Sequence, residues 1–190
     1  MGFRYAETTR LIGSLVGARV AQWGQRSVIK SIQRGTIVIT GATSNTATIT
    51  AVDVGNSLLR FLGSWTSDAA DTDAQSLVQI VLTNATTITA TVATSPAGNN
   101  TTCGYEIVEY YPGVLKSVQR GQTTAAATTQ ALTAIDTTKT LVYFLGNTDT
   151  AGVIDRRHNA IIALNSSTQL GISYGGANAQ TVSWQVAEFY

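Results

Sequence analysis

The sequence predicts an all-β protein: two tandem, duplicated small antiparallel β-sandwich or barrel domains, preceded by a short N-terminal arm or helix. Three observations carry this. Residues 29–35 read Ile-Lys-Ser-Ile-Gln-Arg-Gly and residues 115–121 read Leu-Lys-Ser-Val-Gln-Arg-Gly, identical at five of seven positions. A near-copy of that length within one chain points to internal repetition. Apolar runs are short, rich in Thr, Val and Ile, and broken by turn residues at roughly 8–12-residue spacing, the pattern of small β-sandwiches. Charged residues make up only 12% of the 190, against roughly 25% in typical soluble domains. The polar surface is therefore largely Thr, Ser, Asn and Gln, and Thr with Val and Ile suits a pleated, half-buried surface.

Residues 1–26 form the arm. Ile12, Val16, Val20 and Trp23 fall about four apart, as on one helical stripe, while Gly13, Gly17 and Gly24 oppose a stable helix. The arm either covers the first domain or docks on a neighbouring subunit. The first domain spans 27–113. In it, Thr36–Thr40 and Thr46–Val52 flank the turn Gly41–Asn45 as a hairpin, and Ser57–Gly63 is a third strand. After a polar loop from Ser64 to Asp73, Leu77–Leu82 and Thr87–Val92 pair across Thr83–Thr86, and Gly104–Tyr111 closes the unit. Within the heptad, Ile29 and Ile32 are expected to anchor the core and Gly35 to permit a bend or bulge. Pro112-Gly113 is a strong breaker and marks the boundary.

The second domain, 114–190, retraces this plan. Ala134-Ile135-Asp136 lies 83 residues beyond Ala51-Val52-Asp53, and Leu141–Gly146 lies over Leu58–Gly63 at the same offset. Ala160–Asn165 matches Gln79–Asn84 at an offset near 81, and Trp184–Tyr190 matches Tyr105–Tyr111 at 79. Offsets that fall steadily from the heptad's 86 describe loops that shorten while strands persist. The weak stretch is Thr123–Gln130, where Ala and Thr replace the β-branched strand. Two such units on a tight link give an elongated molecule.

The composition bounds function. A net charge of +1 offers no electrostatic case for nucleic acid or anionic membrane. No apolar run approaches the roughly 18–20 residues of a membrane span. Arg4, Glu7, Arg10 and Arg19 interrupt any signal-peptide core, so a cytosolic origin is expected. Cys103 is the only cysteine, and a buried thiol is its expected state.

Few residues point to chemistry. The single histidine, His158, sits in Asp155-Arg156-Arg157-His158-Asn159. No Gly-x-Ser-x-Gly elbow accompanies it, so the cluster reads as a contact loop whose Arg156 and Arg157 could meet carboxylates of a neighbouring subunit. Asp68, Asp71 and Asp73 lie close enough for a Ca²⁺ site but lack the EF-hand glycine and distal Glu, so a solvated acidic loop is expected. Glu109 and Glu188 occupy equivalent strand positions and read as structural. Trp65, Tyr105, Tyr110, Tyr111, Tyr174 and Trp184 could line a sugar site, or be buried in core and interface. No catalytic, cofactor-binding or metal-binding set is assigned.

The (Ile/Leu)-Lys-Ser-(Ile/Val)-Gln-Arg-Gly opening, the aromatic-x-(Ile/Val)-x-Glu-(Tyr/Phe)-Tyr ending, Thr-rich strands and low charge run through residues 27–190. In these the chain resembles the β-rich head-decoration, head-fibre and tail-fibre modules of tailed-bacteriophage virions. The resemblance implies a non-enzymatic virion protein, made in the host bacterial cytoplasm, without cofactor. It implies a homo-oligomer, trimers being common in such proteins, mounted on the major capsid protein or on tail proteins. The expected function is to decorate or cement the capsid or to form a head-attached fibre. Arg4, Tyr5, Arg10, Arg19 and Trp23 of the arm, with Arg156, Arg157 and His158, are then candidate assembly contacts. The alternative is a receptor-binding tail-fibre or tail-tip module that recognises host surface glycan.

Overall fold

Antiparallel ladders dominate the computed structural model, which describes residues 27–67, 72–96, 98–124, 128–150, 159–174 and 180–190. The arm, and the loop carrying Arg156, Arg157 and His158, lie outside the described residues. The N-terminal half contains β1 (Ile29–Thr40), β2 (Ser44–Thr48), β3 (Ser57–Thr66), β4 (Gln79–Asn84), β5 (Thr87–Thr91) and β6 (Asn100–Tyr110). The C-terminal half contains β7 (Leu115–Thr124), β8 (Thr129–Ala131), β9 (Thr140–Asp149), β10 (Ala160–Ser166), β11 (Gln169–Tyr174) and β12 (Gln180–Phe189). One helical turn, α1 (Asp73–Ser76), precedes β4. The all-β class holds.

Strand order runs the same way in both halves. β6 lies between β1 and β3, and β12 lies between β7 and β9; β5 lies between β2 and β4, and β11 between β8 and β10. In each half the two three-stranded layers enclose their own apolar core. Ile37, Ile39, Leu59, Ile80, Ile88, Tyr105 and Ile107 build the first, and Leu132, Leu170, Ile172, Val182, Trp184 and Val186 build the second. Period-2 alternation does the sorting: on β6, Cys103, Tyr105 and Ile107 point inward while Gly104 and Glu106 belong to the opposite face.

Several local expectations are corrected. Residues 36–52 are not a paired hairpin. β1 runs antiparallel to β6 and β2 to β5, so the turn at Gly41 carries the chain from one layer to the other. Ile29 and Ile32 do not anchor the core; they lie on the outer face, and Ile37 and Ile39 fill the interior instead. Residues three apart face opposite sides of a regular strand; the register shift between Ile29 and Ser31 puts both on the outer face. Gly35 and Gly121 make no bulge. Gly35 opposes Tyr105 and Gly121 opposes Trp184 across the ladder, and the aromatic ring lies over the glycine. A Cβ on Gly35 would stand 2.6 Å from the Tyr105 hydroxyl, and one on Gly121 would run into the Trp184 ring. Such cross-strand cover stabilises a glycine site. Finally, Leu82 opposite Ile88 corresponds to Leu164 opposite Leu170, an offset of 82 and not 81.

The halves are not beads on an extended string. β4 and β9 meet through Gln79 and Gly146, which joins the β2-β5-β4 layer to the β9-β12-β7 layer in one six-stranded sheet. A third apolar cluster of Leu58, Leu115 and Ala187 lies where the halves touch, edged by Tyr110 and Phe189 at a ring-centroid distance of 6.2 Å. Leu145 of β9 is built into the core of the other half. The outer face of β7-β12-β9 thereby covers the seam between the edges of β3 and β4.

Candidate functional site

The repeated heptad places the same clamp in each half. Lys30 Nζ donates to Glu109 Oε1 at 2.8 Å, as Lys116 Nζ does to Glu188 Oε1 at 2.8 Å. The hydroxyls of Ser31 and Ser117 donate to the second oxygens of the same carboxylates. The Asp53 and Asp136 amides complete the sets, each at 2.9 Å. Each carboxylate thus ties the first strand of its half to the last strand and to the short 3-10 turn that follows Asp53 or Asp136. Burial pushes the Glu109 carboxyl upward, but hydrogen bonds from Lys30, the Asp53 amide and Ser31 outweigh it and hold it below the ordinary carboxylate range. The Lys116 hydrogen bond and the Asp136 amide lower Glu188 in the same way. Both carboxylates are structural.

One residue later in the alternation the halves diverge. Arg120 faces the seam. Its Nε donates to Gln185 Oε1 at 2.8 Å, its Nη1 to the Val54 carbonyl at 3.0 Å, and its Nη2 to the Ser57 carbonyl. Gln185 in turn accepts from the Leu59 amide at 3.2 Å and donates to the Leu59 carbonyl at 3.4 Å. A side-chain amide here substitutes for a missing strand neighbour on the open edge of β3. The partners of Arg120 in these bonds are neutral oxygens, and burial pushes its guanidinium down to about 10, which leaves it cationic at neutral pH.

The equivalent of Gln185 in the N-terminal half is Glu106, and the surroundings change with it. Arg34 Nε and Arg60 Nη1 both donate to Glu106, at 2.5 and 2.6 Å, and both arginine side chains remain more than half exposed. Burial would raise the Glu106 carboxyl; the two guanidinium hydrogen bonds hold it below its ordinary value. Around this triad the outer face of β1-β6-β3 exposes Ile32, Val38, Leu62 and Trp65. An apolar face centred on a satisfied ion-pair triad, with no strand or half on top of the triad among the described residues, has the composition of a contact surface: aromatic and arginine anchors with aliphatic surroundings. This face is the candidate functional site.

The sequence pointed elsewhere. Arg4, Tyr5, Arg10, Arg19, Trp23, Arg156, Arg157 and His158 all lie outside the described residues, as do Asp68 and Asp71. Asp73 is buried as the first residue of α1 and is not part of a solvated acidic loop. Among the described residues no group of three or more His, Cys, Asp or Glu is placed to hold a metal ion. Cys103 is buried, and burial pushes its thiol up to about 11. The aromatics separate: Tyr105 and Trp184 are core, Tyr174 donates to the Thr123 carbonyl, and Trp65 and Tyr111 are exposed. Arg34, Arg60 and Glu106 were missed because Arg34 reads as a repeat of Arg120. The substitution of Glu106 by Gln185 at matched positions was the available signal.

Two outcomes test this geometry. Arg120→Ala strands the Val54 and Ser57 carbonyls and is expected to lower unfolding free energy by about 2–4 kcal/mol. Arg34→Ala, at an arginine more than half exposed whose buried partner Glu106 keeps Arg60, is expected to change it by about 1 kcal/mol or less; denaturant titration measures both, and equal effects would contradict the assignment. For pH, a carboxylate whose folded value is lowered contributes fully above its unfolded value of about 4.3 and loses that contribution as pH falls through the folded value. The denaturant midpoint is therefore expected to fall below about pH 4.3, and Glu109→Gln with Glu188→Gln to flatten that fall. An unchanged slope in the double variant would contradict it. In comparisons with known proteins, no protein-family model, curated protein or solved structure matches the chain.

Proposed function

We propose that the chain is a non-enzymatic structural component of a tailed-phage particle, which decorates or cements the capsid or forms a head-attached fibre. Its build is two copies of one six-stranded β-sandwich unit, 27–113 and 114–190, preceded by the 1–26 arm. The equal strand order and the matched Lys-Ser-Glu clamps support the two-copy reading. The observation that carries the function is the outer face of β1-β6-β3. A chain with so few charges nevertheless concentrates two arginines, a glutamate and four exposed large apolar side chains there. A surface of this kind marks a contact with a partner. Three of the buried carboxylates are occupied structurally: Glu106, Glu109 and Glu188 are each paired with a cation. The partners are then other virion proteins and further copies of this chain, and the site of action is the virion.

The second reading, a tail-fibre or tail-tip module for host glycan, is favoured by exposed Trp65. It is the weaker one. Trp65 lies in register with Thr102, near one end of β6, while exposed Tyr111 follows the other end. At about 3.3 Å per residue that separates them by about 30 Å, too far for one sugar-stacking platform.

Particle attachment of a chain lacking residues 1–26 is the test. Both halves are expected to keep their melting transition while attachment to capsid shells is lost. Binding of the purified full chain to host cells, with none to capsid shells, would overturn the decoration reading in favour of the receptor-binding one.

A further inference from the structure

The contact between the halves uses two different surfaces, and each has an open twin. The C-terminal half contributes the outer face of β7-β12-β9; the N-terminal half contributes the seam formed by the 3-10 turn at Val54–Asn56, the β3 edge and the start of β4. On the N-terminal half the equivalent face is open except at its end, where Tyr110 edges the third cluster against Phe189, and on the C-terminal half the equivalent seam exposes Leu141 and Ile161.

The exposures show it position by position. On the face, Leu145 is 2% exposed and its twin Leu62 is 53%; Leu115 is 5% and its twin Ile29 is 36%. On the seam, Leu58 is 1% exposed and its twin Leu141 is 51%; Gln79 is 6% and its twin Ile161 is 70%. Two side chains on each surface are thus buried where the halves meet while their twins stand open; Ala187 differs, since its twin Val108 is itself buried.

The backbone carries an independent mark. Gly146 has φ +88°, and a Cβ there would strike the Val78 carbonyl of the facing seam, so only glycine fits. Gly63, its twin, has φ +106° with nothing within 4 Å of where a Cβ would be. Both glycines sit where the strand register shifts, and on the N-terminal half that bulge stands in an open site. That is the shape of a docking position already formed. Arg34 completes the set: its Nε donates to Glu106, and its side chain is 61% exposed. Arg120 spends its Nη groups on the Val54 and Ser57 carbonyls. The corresponding carbonyls on the open seam belong to Thr137 and Thr140.

We infer that the occupant of the open face is the open seam of a second copy of this chain, in a head-to-tail contact that repeats the one between the halves. The inference rests on the two-copy reading above. Leu62 of one chain enters the second-half core of the next beside Ile161, Ile29 covers Leu141, and the Arg34 Nη groups reach the Thr137 and Thr140 carbonyls. Glu106 stays paired with Arg34 and Arg60, so the cations enter the contact already partnered. Because the two surfaces differ, the interface is heterologous: every chain keeps one free face and one free seam, and assembly proceeds into a ring or a fibre according to the rotation.

The test is sedimentation velocity of the purified full chain from micromolar to near-millimolar concentration, with Leu62→Asp and Leu141→Asp. Both side chains are half-exposed, so the variants are expected to keep the native circular dichroism and melting temperature; Ile161→Asp is a second seam variant should Leu141→Asp melt early. Wild type is expected to form species larger than a dimer. Each variant alone is expected to be monomeric, because each has lost one of the two surfaces. A mixture of Leu62→Asp and Leu141→Asp chains is expected to give a dimer and nothing larger, since one intact face meets one intact seam. A wild type that stays monomeric overturns the inference, and so does a wild type that associates only after removal of residues 1–26, which would assign the face to the arm. Variants that assemble like wild type, or a mixture that stays monomeric, overturn it too. Any of these would leave the internal seam, tested by Arg120→Ala, standing on its own.

Discussion

The open edge of β3 is the constraint that shapes this molecule. An edge strand presents amides and carbonyls that must find partners, and here water is excluded from part of that edge by the third apolar cluster. The chain answers with side chains and not with a further strand. Gln185 offers the Leu59 amide an acceptor and the Leu59 carbonyl a donor, while Arg120 takes the two carbonyls just upstream. The halves are therefore held at a fixed angle by directional bonds, with Leu145 supplying the apolar term.

From the same strand scaffold two chemistries follow. Where glutamine stands, the arginine beside it is released from charge pairing and can serve as a donor to backbone oxygens. Where glutamate stands, it captures Arg34 and recruits Arg60. Tyr143, the residue in the C-terminal half that corresponds to Arg60, packs against the apolar clusters of the seam instead. This difference lies on the outer faces, while the Lys-Ser-Glu clamps and the aromatic-over-glycine pairs occur in both halves.

Much of the fold was legible, for identifiable reasons. Strand positions and the all-β class followed from Thr, Val and Ile spacing and from Gly and Pro punctuation. The matched ends emerged from the heptad and the aromatic-x-aliphatic-x-Glu ending. What failed was pairing. Thr36–Thr40 and Thr46–Val52 read as a hairpin because adjacency in sequence suggests adjacency in a sheet, yet the turn changes layers. The orientation of Ile29 and Ile32 failed for a related reason: a bulge between Ile29 and Ser31, which comes from the pairing with β6, sets both on the outer face. The candidate face was invisible because Arg34, Arg60 and Glu106 come together only through β6 pairing on both sides. The 83-residue offset between Leu62-Gly63 and Leu145-Gly146, by contrast, is readable directly in the sequence.

Native-state hydrogen exchange at the Leu59 amide tests the account most directly. That amide bonds to a side chain of the other half, whereas Ile107 lies in the middle of its own sheet. If the seam holds the halves as one cooperative unit, Leu59 exchanges only with global unfolding, at the same free energy as Ile107. Exchange of Leu59 at a markedly lower free energy, with Ile107 still protected, would mean that the halves part freely and that the seam does not hold them together.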